Sequence, residues 1–348
     1  MKRGGKLKGL IWLFQRSQTV KDCKKERNVE KFFCVLLILQ ILSIFCFREC
    51  HAGPYPNPNI LVETDWLATR LEDANLRIVD MQETREAYLQ GHIPGAVYVD
   101  LDEIVSAVKG VSRKTYLWPG AKEPEKIAEY CASWGTETGS PDVELIEMRI
   151  RDAGIGNDTV VVVYDDAECL YAAQFFWVLE MLGHNRVALL NGGIARWRGE
   201  GLPLSRDIPP IGPVPFKARL RPEVVTDAAW ILREMQNPQV TLLDVRSKAE
   251  YVGTAKLSKR AGHIPGAVHL EWSNAVDPLT STFKTQEELK DLLGGARITR
   301  DKTVVPYCQA GIRASHTYFV LRLLGYEKVR LYYPSWNEWG NRDTLPVE

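Results

Sequence analysis

An α/β fold made twice, each copy a mostly parallel sheet flanked by helices, is the architecture this sequence predicts. Three observations carry it. Gly91-His92-Ile93-Pro94-Gly95-Ala96-Val97 recurs letter for letter as Gly262-His263-Ile264-Pro265-Gly266-Ala267-Val268, and an identity of that length within one chain marks an internal repeat. Short apolar runs with strand character alternate with helical stretches around both copies, the pattern of parallel βαβ units. The chain has 348 residues, 45% of them hydrophobic, enough to bury two cores of ordinary domain size.

Residues 1–52 differ in kind from the rest. Met1 to Lys31 is rich in Lys and Arg, Phe32 to Phe47 is an apolar run, and Cys50-His51-Ala52 sets small residues before Gly53. Basic leader, apolar run and small residues are the parts of a secretory signal. The expectation is an exported protein, periplasmic or secreted, cut near Ala52. The alternative is an uncleaved anchor with membrane attachment through 32–47, although that run is shorter than the roughly 20 residues a spanning helix needs. Cys23, Cys34, Cys46 and Cys50 fall here, leaving Cys131, Cys169 and Cys308 in the body.

The first copy is expected over 60–206. Leu76 to Val79 reads as a strand ending at Asp80, and Val160 to Tyr164 as a second. An insertion near 111–150 lies between them, with the Gly-, Ser- and Pro-containing stretch Ser133 to Pro141 expected to be a loop flanked by two helices. A Pro-rich linker is placed at 207–220. The second copy, 221–348, repeats the order: Thr241 to Leu243 ends at Asp244, Val304 to Tyr307 matches Val160 to Tyr164, Leu324-Gly325-Tyr326 matches Leu182-Gly183-His184, and Trp339 matches Trp197. Counting back from the two glycines sets Asp166 opposite Cys308, Cys169 opposite Gly311 and Tyr171 opposite Arg313. On that alignment no anion cradle survives in the first copy.

The chemistry is expected at Cys308. Thr303 to Tyr307 reads as a strand and Ala314 to Leu324 as a helix, with the tight loop Cys308-Gln309-Ala310-Gly311-Ile312-Arg313 between them. Such a loop aims unpaired N–H groups and the positive end of the helix at its first residue, which favours a thiolate nucleophile there. Gly311 supplies the residue without a Cβ that a loop this tight needs. Arg313 has two candidate duties: completing the positive field around a bound anion, or pinning the loop through an ion pair with a carboxylate such as Glu271. Lys+Arg and Asp+Glu balance at 44 each, which gives no reason to expect a nucleic-acid partner. The cysteines lack metal-ligand spacing, and no metal or organic cofactor is called for.

Together the paired GHIPGAV, Asp244-Val245-Arg246, CQAGIRAS, Ser335-Trp336-Asn337-Glu338-Trp339 and the Leu345-Pro346-Val347-Glu348 ending resemble the rhodanese family. The likeness is to its two-domain sulfurtransferases acting on thiosulfate or 3-mercaptopyruvate. That resemblance implies tandem rhodanese-like domains, a catalytic second domain, and a first domain without its nucleophile. It also implies a persulfide on Cys308, formed from a small anionic sulfur donor and passed to a thiophilic acceptor such as cyanide or a thiol. The loop residues Gln309, Ala310, Gly311, Ile312 and Arg313 would bind substrate, and Arg196 stands one residue after the position where animal members place an anion-binding arginine. Asp244 and Arg246 read as structural support. Gln309-Ala310 and Tyr333-Pro334 depart from the family pattern. Rival readings are a non-catalytic persulfide carrier or redox sensor in which Cys308 stores sulfur for a dedicated partner, and a cysteine phosphatase or arsenate reductase; an exported persulfide enzyme would itself rely on a donor such as thiosulfate or on a thiol-reducing partner. The phosphatase type places five residues between Cys and Arg, where this chain has four.

Overall fold

The computed structural model describes residues 55–100, 102–104 and 142–348; the signal or anchor expected over 1–52 and most of the insertion lie outside the described residues. Among the described residues no helix is long and apolar enough to cross a membrane. In the first half, β1 (Leu61–Val62), β2 (Leu76–Asp80), β3 (Val97–Tyr98), β4 (Val160–Tyr164) and β5 (Val187–Leu190) form one sheet in the order β1-β5-β4-β2-β3, every pair parallel. In the second half, β6 (Val225–Thr226), β7 (Val240–Asp244), β8 (Val268–His269), β9 (Thr303–Tyr307) and β10 (Leu331–Tyr332) form a parallel pair and a parallel triplet. A parallel bridge between Val304 and Val329 joins the two pieces, so the order β6-β10-β9-β7-β8 repeats that of the first half.

The helices are α1 (Thr64–Ala68), α2 (Arg85–Gln90), α3 (Val143–Asp152), α4 (Leu170–Met181), α5 (Gly193–Gly199), α6 (Ala228–Glu234), α7 (Lys248–Tyr251), α8 (Gln286–Gly295), α9 (Ile312–Leu323) and α10 (Ser335–Trp339). α3 is the second of the two helices expected around the insertion's loop. The linker residues 207–220 carry no strand or helix. They strap the first half through Val214 N–H on Arg151 O at 3.0 Å and Arg219 N–H on Leu182 O at 2.8 Å.

The repeated GHIPGAV segments build the same clasp twice. His92 stacks on Tyr88 at 3.9 Å and His263 on Tyr251 at 3.8 Å. Each tyrosine hydroxyl donates to the Ala carbonyl of its GHIPGAV, Ala96 at 3.0 Å and Ala267 at 2.9 Å. Tyr164 and Tyr307, at the ends of β4 and β9, accept the Ile93 and Ile264 N–H groups on their hydroxyl oxygens at 3.0 and 3.1 Å. Both histidines are therefore packed into turns that are alike in the two halves.

α4 is buried along its whole length, and α9 nearly so. A helix apolar all round, such as the Leu170-Tyr171-Ala172-Ala173 start of α4, belongs between layers. These two helices pack on each other between the sheets, within one compact unit spanning Gly53–Glu348. Phe176 meets Phe319 edge to face at 5.0 Å, and each such ring contributes about 1.5–3 kcal/mol by leaving water. Buried Glu180 of α4 accepts from Tyr318 at 3.0 Å and pairs with Arg221 and Arg322 at 2.9 Å each, so the one carboxylate is compensated by groups from the second half. This packing carries the first half onto the back of the helix that follows Cys308.

Candidate active site

β9 delivers Cys308 at the carboxyl end of the parallel sheet, where sites in open α/β folds gather. The thiol is 1% exposed. Gly311 N–H donates to Cys308 Sγ at 3.1 Å. The loop's carbonyls are turned away from the sulfur: Cys308 O accepts from Trp336 N at 2.9 Å, Gln309 O from Asn337 N at 2.8 Å, and Gly311 O from Ser315 Oγ at 2.9 Å. In a trans peptide the N–H points opposite to the C=O. The N–H groups of Gln309, Ala310 and Ile312 therefore point away from Trp336, Asn337 and Ser315. Cys308 N–H itself is taken by Ser335 Oγ at 3.0 Å, and Gln309 Nε2 reaches Ser258 Oγ at 3.0 Å. Gly311 has φ +95°, and a Cβ there would sit 2.6–2.7 Å from the Tyr333 ring and carbonyl, so glycine is required on both counts.

The first half carries a second cradle, filled from within. β4 and β9 match residue for residue up to Tyr164 and Tyr307, which places Asp165, not Asp166, opposite Cys308. The loop to α4 is one residue longer than the loop to α9, and Glu168 and Cys169 accommodate the extra residue with φ of 58° and 64°. Asp165 Oδ1 accepts the N–H groups of Ala167 and Cys169, each at 2.9 Å, and Oδ2 those of Tyr171 and Ala172, each at 2.8 Å. The expectation that no anion cradle survives is thus corrected: four donors converge, on a carboxylate the chain supplies. Burial pushes the Asp165 pKa up to about 6 against the pull of those donors. Asp166, aligned with Cys308 by counting from the helix end, instead accepts Glu83 N–H at 3.0 Å.

A rhodanese-like domain model matches the chain twice, over residues 63–200 and 227–342, one match on each half. The chain belongs to the rhodanese family. Similar proteins include the sulfur carrier protein TtuD of Thermus thermophilus, 35% identical over 306 residues that cover 84% of this chain and 98% of that protein. The thiosulfate sulfurtransferase of Azotobacter vinelandii is 32% identical over 293 residues, covering 83% and 97%. Among solved structures, the 3-mercaptopyruvate sulfotransferase SseA from Escherichia coli superposes with a TM-score of 0.63 at 27% identity, over 80% of this chain and 98% of SseA. An anaerobic ergothioneine biosynthesis enzyme from Chlorobium limicola gives 0.67 at 26% identity, over 84% and 71%.

Within this rhodanese the arginines are placed differently from the expectations above. Arg313 points its two terminal nitrogens at Glu250, not Glu271, at 2.8 and 2.9 Å. The fork-to-fork match fills the two donors an anionic substrate would need, so the pinning duty is the one seen. Burial alone would raise the Glu250 carboxyl, but the Arg313 hydrogen bonds and charge hold it down at about 2; the same partner raises Arg313 against its own burial. Glu250 also closes a capping box with Ser247 at the start of α7. Ser-x-x-Glu is legible in the sequence as a cap, yet it gives no sign of the second bond. Arg196 is likewise committed, to Glu63 and, at 2.8 Å, to Glu200. It lines a cavity of about 540 Å³ with Asn191 and Thr280–Thr282, and none of residues 308–313 borders that cavity. Asp244 and Arg246 form a buried pair, with Arg246 donating to Gly262 O at 2.7 Å and lying over the Trp336 ring at 4.4 Å.

Sequence reasoning passed over Tyr333 as an unexplained departure. In the structure its ring stacks on Trp177 of α4 at 4.9 Å and 8°, its hydroxyl accepts from Gln174 Nε2, and its edge walls Gly311. Ser335, which caps Cys308 N–H, was read only as part of a family marker.

Proposed function

We propose that this rhodanese is a sulfurtransferase that moves sulfane sulfur from thiosulfate, or a similar donor such as 3-mercaptopyruvate, to a thiophilic acceptor such as cyanide or a thiol. Cys308 carries the sulfur. The observation that supports this reading is the Gly311 N–H on Cys308 Sγ at 3.1 Å, in a loop where the Cys308, Gln309 and Gly311 carbonyls are taken by Trp336, Asn337 and Ser315. The Cys308 thiolate attacks the outer sulfur of thiosulfate, the donor's S–S bond breaks, and sulfite leaves with the bonding electrons. Cyanide then attacks the terminal sulfur of the persulfide, thiocyanate departs, and the thiolate is regained. In both steps the charge on sulfur is met by fixed N–H groups rather than by water. The four-residue spacing and the commitment of Arg313 to Glu250 count against a phosphatase, which must grip three oxyanion oxygens.

The test is mass spectrometry of protein lacking residues 1–52 after thiosulfate treatment. One added sulfur on Cys308, absent from Cys308→Ser, is expected; loading of Cys169 or Cys131 instead overturns the assignment. The name of the Thermus relative favours a second reading on the same site, a carrier that loads once for a dedicated partner. Multiple turnovers with cyanide separate the enzyme from the carrier.

We propose further that the chain is exported after a cut near Ala52, from the basic leader and the apolar run of 32–47. A persulfide enzyme in an oxidising compartment calls for a thiol-reducing partner or for a donor such as thiosulfate. A mature protein beginning at Gly53 supports export, a membrane-bound chain with 1–52 intact supports the anchor, and a cytoplasmic one defeats both.

A further inference from the structure

We infer that the first domain is a working part of the active site: Gln174 and Trp177 hold Tyr333 against Gly311, and Tyr333 thereby keeps the Gly311 N–H on the Cys308 sulfur. Glycine at φ +95° is free to turn its preceding peptide over, because no Cβ resists the motion. That flip would swing the Gly311 N–H off the sulfur and bring the Ala310 carbonyl round in its place, a repulsive partner for a thiolate or persulfide. Something outside the loop must block it. The Tyr333 Cδ2 and Cε2 atoms and its carbonyl oxygen stand 2.6–2.7 Å from where a Cβ of Gly311 would lie, leaving the glycine no room on that side. Two of the contacts that hold Tyr333 come from α4. The Trp177 indole is stacked flat on its ring at 4.9 Å, and Gln174 Nε2 donates to its hydroxyl across a sequence separation of 159 residues. The charge of Cys308 is felt at the Tyr333 hydroxyl, whose pKa is raised first by burial and then by that thiolate.

This assigns Tyr333 as a positioning residue, and Gln174 and Trp177 as the supports through which a domain without a nucleophile acts on the one that has it. The kinetic half of the test rests on the sulfurtransferase reading; the spectroscopic half does not. Full-length protein labelled with ¹⁵N-glycine gives an amide resonance for Gly311, identified by its response to Cys308→Ser. Tyr333→Ala should move that resonance in the same direction as Cys308→Ser. It should lower kcat for thiosulfate-to-cyanide transfer, counted per loadable Cys308, by about tenfold or more, with KM for thiosulfate changed by less than about threefold, because a misaimed donor is lost where charge develops. Tyr333→Phe keeps the stack and should recover most of kcat. Gln174→Met should match Tyr333→Phe, and the double variant should lose no more than either alone, since both break one bond. Should Tyr333→Ala fail to fold, Tyr333→Leu, which keeps bulk but loses both the stack and the hydroxyl bond, is read in its place. A Gly311 resonance unmoved in Tyr333→Ala, or in the leucine variant that replaces it, overturns the inference. Wild-type protein that transfers no sulfur but shows the expected shifts defeats the proposed function and leaves the positioning intact.

Discussion

Replacing Glu250 with Gln removes one charge from a buried pair while keeping the side chain's shape. The carboxyl is held down from its ordinary 4.5 to about 2, against its own burial, by the two Arg313 bonds at 2.8 and 2.9 Å. At about 1.4 kcal/mol per pKa unit, that depression is about 3 kcal/mol of folding free energy. This agrees in size with the cost of leaving one member of a buried pair without its partner. In a cooperative unit of about 300 residues, with unfolding entropy of about 2.1 cal/mol/K per residue, the loss lowers Tm by about 5 °C at neutral pH. The sign follows from linkage. A folded-state pKa below the unfolded one gives stability that is complete above about pH 5 and is lost as pH falls toward about 2. Glu250→Gln lacks that contribution at every pH, so the gap between the wild type and the variant should shrink to less than half of its neutral value at pH 3. Urea midpoints for both proteins at pH 7, 5, 4 and 3 measure it. A neutral gap under about 1 kcal/mol, or one that stays constant with acid, would refute the account of the Arg313 pair.

Four further outcomes are expected. Gly311→Ala should cost about 3 kcal/mol, from a side chain forced to positive φ and from its collision with Tyr333, and should abolish sulfur loading; thermal melts and mass spectrometry read the two effects. Asp165→Asn should destabilise by about 3 kcal/mol, because its NH₂ must face two N–H donors whichever way the amide is turned. Asp165→Ala should regain part of its lost Tm on titration with formate, which has no such effect on wild type. One residue inserted between Gln309 and Gly311 should weaken sulfur transfer and raise affinity for small oxyanions, measured calorimetrically with sulfate; unchanged transfer would mean that ring size does not select the atom.

Much of the fold was legible because the chain states it twice. The seven-residue repeat, the strand Thr303–Tyr307 and the Asp244-x-Arg246 clasp are local patterns, and each is found where the pattern predicts it. What escaped was pairing across the fold. Glu250 and Glu271 both precede or follow turns near the second GHIPGAV, and nothing in their neighbours says which one faces Arg313. Asp165 was missed by one position because the alignment was counted from the helix end. Counting from Tyr164 and Tyr307 gives the other answer, and that disagreement was itself the sign of an extra loop residue. Tyr333 stood out as unusual, but its partners Gln174 and Trp177 lie on α4 in the other half of the sequence.

The two loops of this one chain bear on why a cradle of four-residue spacing handles sulfur. Both start from the end of a central strand, both run into a buried twelve-residue helix, and both collect backbone N–H groups around the first loop residue. The shorter one presents a single sulfur to its donors. The longer one, with five residues between Asp165 and Tyr171 where the other has four between Cys308 and Arg313, surrounds two oxygens with two donors each. A carboxylate on its own Cβ satisfies those donors permanently and has nothing to give away, so the first loop is stable and inert. The Cys308 sulfur accepts the Gly311 N–H, and under the proposed function it gains and gives up one further sulfur in each cycle. Loss of chemistry in the first half and its retention in the second therefore need no difference in fold. They need one side chain and one residue of loop, after which the first half remains as the support on which Tyr333 rests.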